Sequence, residues 1–273
     1  MQKTFETPGP TSLYVELGSG SLTIHTDEVA TTTVDVTGRG AEETTVEQRG
    51  AQVVVIAPRG RAGFLGSADD LTVLVTLPHD SALATKLGSA DVTVHGRLGE
   101  TRVKTGSGDV TLGHVAGKAL VEAGSGSIRV EEVADDLRAK TGSGDVEVVR
   151  AAGTTSVSTG SGDVTIGAAP RPLTVKSGSG DLRVHEAGSD VTLTTASGDV
   201  VVETMRRGQL EARNVSGDIR VGIPAGVPVW TDVSSVTGEV TSTLVGAGAP
   251  ADGQDYVELR AKTVSGDVHL EQR

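Results

Sequence analysis

The tripeptide Ser-Gly-Asp, or a near variant of it, returns along the chain at a fixed step. Ser89, Ser107, Ser125, Ser143, Ser161, Ser179 and Ser197 follow one another every 18 residues, and Ser216, Thr237 and Ser265 continue the series after 19, 21 and 28. Six identical intervals restrict the fold to architectures built from one repeating supersecondary unit. An isolated copy, Gly18-Ser19-Gly20-Ser21, stands 70 residues before Ser89, which implies longer excursions between equivalent corners in the first part of the chain.

Within each unit apolar residues alternate, as in LTVKSGSGDLRV, where Leu173 and Val175 precede the corner and Leu182 and Val184 follow it. A period of two means strands. Parity slips across the Gly-Ser-Gly, so inward residues stand at −6, −4 and −2 before the serine and at +3 and +5 after it, as a bend between two strands requires. The +3 column reads Val92, Val110, Ile128, Val146, Val164, Leu182, Val200, Ile219, and the +5 column Val94, Leu112, Val130, Val148, Ile166, Val184, Val202, Val221. An antiparallel meander need not keep such columns. A parallel solenoid must, because each lap returns to the same point about 4.8 Å further on and stacks like on like. The sequence therefore predicts an all-β fold, a single-stranded parallel β-helix (β-solenoid) with coils of 18 residues, and ten corner-bearing turns would extend about 50 Å. No stretch sustains a 3.6-residue period for three turns, so helices are expected to be nearly absent.

Residues 1–84 break the period and read as an irregular N-terminal β cap continuous with the solenoid of 85–273, whose last coils (222–273) are irregular; the whole is expected to form one structural domain. Strands are expected at 13–17, 21–26, 32–36, 52–56 and 71–77, with an exposed loop at 60–70. A cap has a physical purpose, since the end of a solenoid is an unpaired sheet edge. At the other end IPAGVPVW (223–230) and GAGAPADGQD (246–255) interrupt the repeat before KTVSGDVHL restores it. Trp230 is expected to plug the widened last turns; the alternative is a platform on which a ligand stacks.

Ten near-copies of [TAV]-[GS]-x-G-[DSE]-[VIL] on alternating strands, with TSLYVELGSGSLTI near the N-terminus, resemble the bacterial putative-adhesin or toast-rack β-repeat family over nearly the whole chain. The resemblance implies a right-handed single-stranded β-helix without an assigned molecular activity, found with cell-envelope components and envelope-stress systems. It brings no active-site residues with it.

Composition narrows the function further. The formal charge of −12 repels a phosphate backbone, so nucleic acid is not an expected partner. There is no cysteine, which removes disulfides, thiolate metal sites and a Cys nucleophile together. Two Phe, two Tyr and one Trp leave few rings to stack sugars, as a polysaccharide-cleaving enzyme would need. The acidic column Asp91, Asp109, Asp145, Asp163, Asp181, Asp199, Asp218 and Asp267 invites a calcium ladder. Yet calcium-binding rolls carry their motif twice per coil and this chain carries it once, so each Asp is expected to accept hydrogen bonds from backbone amides at its corner. Lys104, Lys140 and Lys176, just before corners, are expected to neutralise that column. The six histidines lack ligand spacing, although His95 and His114, 19 apart, fall near each other on successive coils. No catalytic, cofactor-binding or metal-ligating residue is assigned, and no cofactor is expected.

The sequence thus reads as a non-catalytic β-solenoid scaffold or binding module, adhesin-like, linked to envelope or stress functions, with a protein or envelope-polymer partner. A polysaccharide-active β-helix enzyme and an element that self-assembles through its ends are the alternatives. The N-terminus has no apolar run before Pro8 and Pro10, and the chain nowhere has 18 consecutive apolar residues, so the expectation is a cytoplasmic protein without membrane insertion, associated with the envelope through a partner.

Overall fold

The computed structural model describes residues 1–58, 70–246, 248–251 and 253–273. The loop expected at 60–70 lies outside the described residues except for Asp70, which opens a strand. The chain divides into two compact units, residues 1–135 with 139–141 and residues 136–138 with 142–273. Each is a stack of parallel β-coils. Among the described residues the only helical turn is a 3-10 turn at Ala41–Glu43, and no helix is long and apolar enough to cross a membrane.

The first unit contains β1 (Gln2–Glu6), β2 (Ser12–Asp27), β3 (Thr31–Gly38), β4 (Thr45–Arg49), β5 (Gln52–Ile56), β6 (Asp70–Pro78), β7 (Ala82–Leu98), β8 (Thr101–Thr105), β9 (Val110–Val115), β10 (Ala119–Ala123) and β11 (Ile128–Val133). Strands β2 and β7 each bend through a corner and supply both sides of a coil, whereas later coils use two strands. The offset of 18 is the register: Val121 of β10 lies on Val103 of β8, and Ile128 and Val130 of β11 lie on Val110 and Leu112 of β9. The isolated N-terminal corner joins the same stack, with Ser19 opposite Ser89, Leu22 opposite Val92 and Ile24 opposite Val94. The excursion expected between these corners is β3 to β6. On its far side β2 carries β5 and then β6 in parallel, while β4 on β5, β3 on β6 and β1 on β3 are antiparallel.

The second unit begins within β12 (Leu137–Lys140) and continues with β13 (Val146–Ala151), β14 (Thr155–Thr159), β15 (Val164–Ala169), β16 (Leu173–Ser177), β17 (Leu182–Ala187), β18 (Val191–Thr194), β19 (Val200–Met205), β20 (Gly208–Arg213), β21 (Ile219–Ile223), β22 (Val229–Ser235), β23 (Val240–Ser242), β24 (Val257–Thr263) and β25 (Val268–Gln272). Val164 of β15 lies between Val146 of β13 and Leu182 of β17, and Ile166 between Val148 and Val184. The corner serines continue the ladder from Ser179 to Ser197 to Ser216. None of the aliphatics in the +3 and +5 columns is more than 2% exposed, so every one faces the interior as alternation requires.

Two features of the C-terminal coils are not given by the spacing of the corners, and the second corrects an expectation. The first concerns order. The coil of β24 and β25, last in sequence, lies directly on β20 and β21, with Leu259 on Leu210, Ala261 on Ala212 and Ser265 on Ser216. The coil of β22 and β23 is then displaced outward and rests on β24 and β25. Like-over-like packing explains the exchange: Leu-x-Ala at 210–212 recurs at 259–261, whereas the corresponding pair of β22 is Thr231 and Val233. The second concerns Trp230. It does not plug the last turns; it is 56% exposed on the outer face of β22, opposite Glu258. Counted from Thr237 it stands at −7, an outward parity.

The facing assigned to the columns can be tested at adjacent positions. Val164→Asp puts an unpaired carboxylate at a site 1% exposed and should lower stability by about 4 kcal/mol or prevent folding, whereas Thr165→Asp, on the outer face between Glu147 and Arg183, should change it by less than about 1 kcal/mol. Thermal and urea unfolding of both variants provide the comparison.

Candidate functional site

The acidic column caps corners. In the first unit the Asp109 N–H donates to Asp91 Oδ1 at 2.9 Å and the Ser127 N–H to Asp109 Oδ1 at 2.8 Å. In the second, Asp145 accepts from the Asp163 N–H, Asp163 from Asp181, Asp181 from Asp199, Asp199 from Asp218 and Asp218 from Asp267, all at 2.8–2.9 Å. Asp267 in turn accepts from the Glu239 N–H, following the exchanged coil order. A hydrogen bond to a charged acceptor contributes about 1.5–3 kcal/mol, against roughly 1 kcal/mol of repulsion between neighbouring exposed carboxylates, so the ladder holds without a counter-ion. Among the described residues no group of three or more His, Asp or Glu side chains is placed to hold a metal.

The inner side of the corner is bonded as well. At −2 a buried Thr, Ser or Asn reaches the corner carbonyl of the coil below: Thr159 Oγ1 donates to Gly144 O at 3.2 Å and accepts the Gly162 N–H at 3.0 Å, and Asn214 Nδ2 donates to Gly198 O at 3.3 Å and to Gly217 O of its own corner at 2.7 Å. Alternation marks these positions only as inward; their signal is the recurrence of hydroxyl or amide side chains at 105, 141, 159, 177, 195, 214 and 263. The glycine after the corner serine leaves room for the neighbouring backbone, since a Cβ on Gly162 would lie 1.9 Å from Gly144 O.

The other polar groups take different partners from those expected. His95 stacks on His25 with ring centroids 4.8 Å apart, and a register irregularity between Val94 and Arg97 sets Arg97 opposite His114. His114 pairs with Glu132 at 3.1 Å. Lys104 bonds Glu122 on the next coil at 3.2 Å; the Asp column is held by backbone amides. These pairs are exposed on coil faces.

The last three coils differ from the rest on their outer face. Across β20, β24 and β22, in spatial order, the rows read Gln209, Glu258, Trp230; then Glu211, Arg260, Asp232; then Arg213, Lys262, Ser234; then, at the corner, Val215, Val264, Val236. Trp230, Asp232, Arg260, Lys262, Glu211 and Arg213 line a shallow recess of about 220 Å³. Arg213 pairs with Glu211, Arg260 with Glu258, and Lys262 with Asp232 at 3.4 Å, so three cations meet three carboxylates. Parallel strands about 4.8 Å apart hold these groups in a fixed grid, with the exposed ring at one edge and three exposed valines at the other. Such a grid presents an aromatic surface beside charged donors and acceptors.

The Toastrack DUF4097 family profile matches residues 11–166 and 134–273. The chain belongs to this family. No curated protein matches the chain. Among solved structures this toast-rack chain is similar to a putative cell adhesion protein from Clostridium sporogenes at 13% identity and a TM-score of 0.25, covering 100% of this chain and 99% of that one. It is also similar to a putative adhesin from Bacteroides fragilis at 9% identity and a TM-score of 0.40, covering 99% and 96%. A putative lipid binding protein from Parabacteroides distasonis follows at 10% identity and a TM-score of 0.34, covering 99% and 96%. The corner of this toast-rack chain joins a glycine, an outward carboxylate and an inward hydroxyl in one structural motif.

That motif can be separated into its parts. Asp163→Ala removes the acceptor of the Asp181 N–H and should cost about 1–2 kcal/mol, whereas Asp163→Asn keeps an acceptor oxygen and should cost less than half as much. Millimolar calcium should leave the melting temperature of the parent chain unchanged. Calorimetry with and without calcium reads both effects.

Proposed function

We propose that the protein is a non-catalytic binding module whose ligand is a glycan of the bacterial envelope, held at the Trp230 face of the last three coils. The observation that carries this reading is the outward Trp230 beside a balanced grid of fixed ion pairs. The indole face takes the C–H surface of a pyranose, and Arg260, Asp232 and Lys262 offer donors and acceptors to its hydroxyls. The recess is lined by three cations and two carboxylates, with Glu258 beside it pairing Arg260, so its charges are matched, and on a chain of net charge −12 a neutral sugar is favoured over a polyanion. The recess has room for about one ring, so single-site affinity is expected to be weak.

A second reading has its own observation. Val215, Val264 and Val236, exposed by 55, 46 and 74%, form a stripe along the corner, and a protein partner would cover it.

Trp230 is the only tryptophan, so intrinsic fluorescence reports directly on the site. Titration with soluble peptidoglycan fragments and neutral hexose oligomers should shift its emission saturably. Trp230→Phe should bind more weakly than the parent and Trp230→Ala at least tenfold more weakly, both measured by calorimetry. Saccharides that leave the emission unchanged, or that bind Trp230→Ala as they bind the parent, would refute the glycan. A protein captured by the parent chain and lost on Val264→Ser would favour the second reading.

A further inference from the structure

Among the described residues the coil of β22 and β23 is paired on one side only, by β24 and β25. Its bonds to that neighbour run from the Val257 N–H to Pro228 O, from the Val268 N–H to Glu239 O and from the Thr243 N–H to Leu270 O. Parallel strands alternate the direction of their backbone groups, so Val229, Thr231 and Val233 on β22, and Val240 and Ser242 on β23, turn their N–H and C=O groups toward the free edge. The same residues line an open recess of about 430 Å³ together with Leu270. In the coil beneath, Leu259 and Ala261 are fully covered, whereas Val240 is 45% exposed and the adjoining Val245 72%. Aliphatic columns and backbone ladder thus break off together at this end.

We propose that this end takes the same end of a second copy, giving a closed two-fold pair. The inference does not depend on the glycan reading. Three features select this occupant. The surface offers two strand edges at once with aliphatic columns between them, and another copy presents both edges at a matching separation. Charge is sparse there: β22 and β23 carry Asp232 alone, with Glu239 at the corner between them, so self-apposition in an acidic protein meets little like-charge repulsion. The outermost strands of the N-terminal end are protected differently, β1 carrying Lys3 and Glu6 and β4 carrying Glu47 and Arg49, the charges that discourage strand addition at an edge. Like therefore meets like at the C-terminal end only, and the assembly stops at two copies. A two-fold axis across the stack sets β22 against its copy in the antiparallel sense, a pairing the chain already uses between β4 and β5. Two strands of this length enclose an end face that buries about 800 Å² in all, which fits a reversible dimer and not a permanent one.

The full chain, examined by sedimentation equilibrium between about 1 and 500 μM, should rise from one copy to two and then level off. Val240→Lys and Val245→Lys place a charge in the apposed face and should remain at one copy with a thermal midpoint close to that of the parent. Leu74→Lys, on an exposed position of β6, should dimerise like the parent. Val245 is exposed enough that its variant keeps the test decisive should Val240→Lys fail to fold. A parent chain that stays single throughout, a mass that climbs beyond two copies, or dimerisation unaffected by either lysine would overturn the proposal. So would saturable binding of laurate to a single copy, lost on Val245→Lys, which would assign the end to an acyl chain.

Discussion

Everything in the fold depends on how closely one backbone can approach the next at the corner. Strands lie about 4.8 Å apart only if the bend linking them can stack at the same spacing, and a bend brings polar groups together without the regular ladder that satisfies a strand. The toast-rack corner meets this on both sides. Outside, an aspartate carboxylate takes the amide of the adjoining coil; inside, a threonine hydroxyl takes the carbonyl; between them glycine leaves the space that a Cβ would fill. The aliphatic columns are the consequence, because coils fixed at the corner have their flanking residues in register by construction. A core built without large rings is sufficient, since each Val or Leu needs to fill only one lap of height.

The same rule explains what can be read from the sequence and what cannot. The step of 18 between corner serines fixes the register, and through it the direction of every side chain from Val92 to Val221. The stacking of Ser19 on Ser89 across the intervening excursion follows from the same motif. The order of the terminal coils does not follow from spacing, because intervals of 21 and 28 say how long the connections are but not which coil accepts the next. That information lies in side-chain identity. Leu210 and Ala212 find the same residues at 259 and 261, so the last coil in sequence displaces its predecessor. Trp230, expected as a plug, already has an outward offset of −7 from Thr237, and the parity of its strand prevails over its apolar character. The Trp230 recess is illegible for a further reason: its grid combines residues from 211 to 262 and exists only after the exchange of coils.

Both ends of the chain are built by one device. At the N-terminal side β2 lies between β7 and the pair β5 and β6, which separate it from β7 in sequence; at the C-terminal side β24 and β25 lie between two coils that are consecutive in sequence. At the C-terminal side the last segment consequently has strands on both sides, and the outermost coil, β22 and β23, is an internal segment tethered at both of its ends; at the N-terminal side β4 is tethered likewise, whereas β1 is a chain end laid on β3. Fraying of the coil of β22 and β23 then requires opening a loop and not merely lifting a free terminus, a larger cooperative unit than peeling one coil from a solenoid. The device also makes these contacts distant in sequence, which favours slow assembly of the terminal coils relative to the 18-residue steps between them.

The exchange brings the two unusual surfaces of the second unit onto one strand. β22 carries Trp230 outward and Val229, Thr231 and Val233 toward the open end, so a partner that pairs with its edge meets the flank of the Trp230 recess. One ring on an exposed tryptophan gives weak binding, because a single contact must offset the whole loss of rotational and translational freedom. Two copies joined through β22 would hold two such rings at a fixed separation, and a polymer long enough to span them would engage the second at high effective concentration. Repeating sugars provide that length where a monosaccharide does not. Affinity should accordingly depend on chain length in the parent protein, and this dependence should weaken in Val245→Lys while monosaccharide binding is retained. Charging the edge would then separate avidity from recognition.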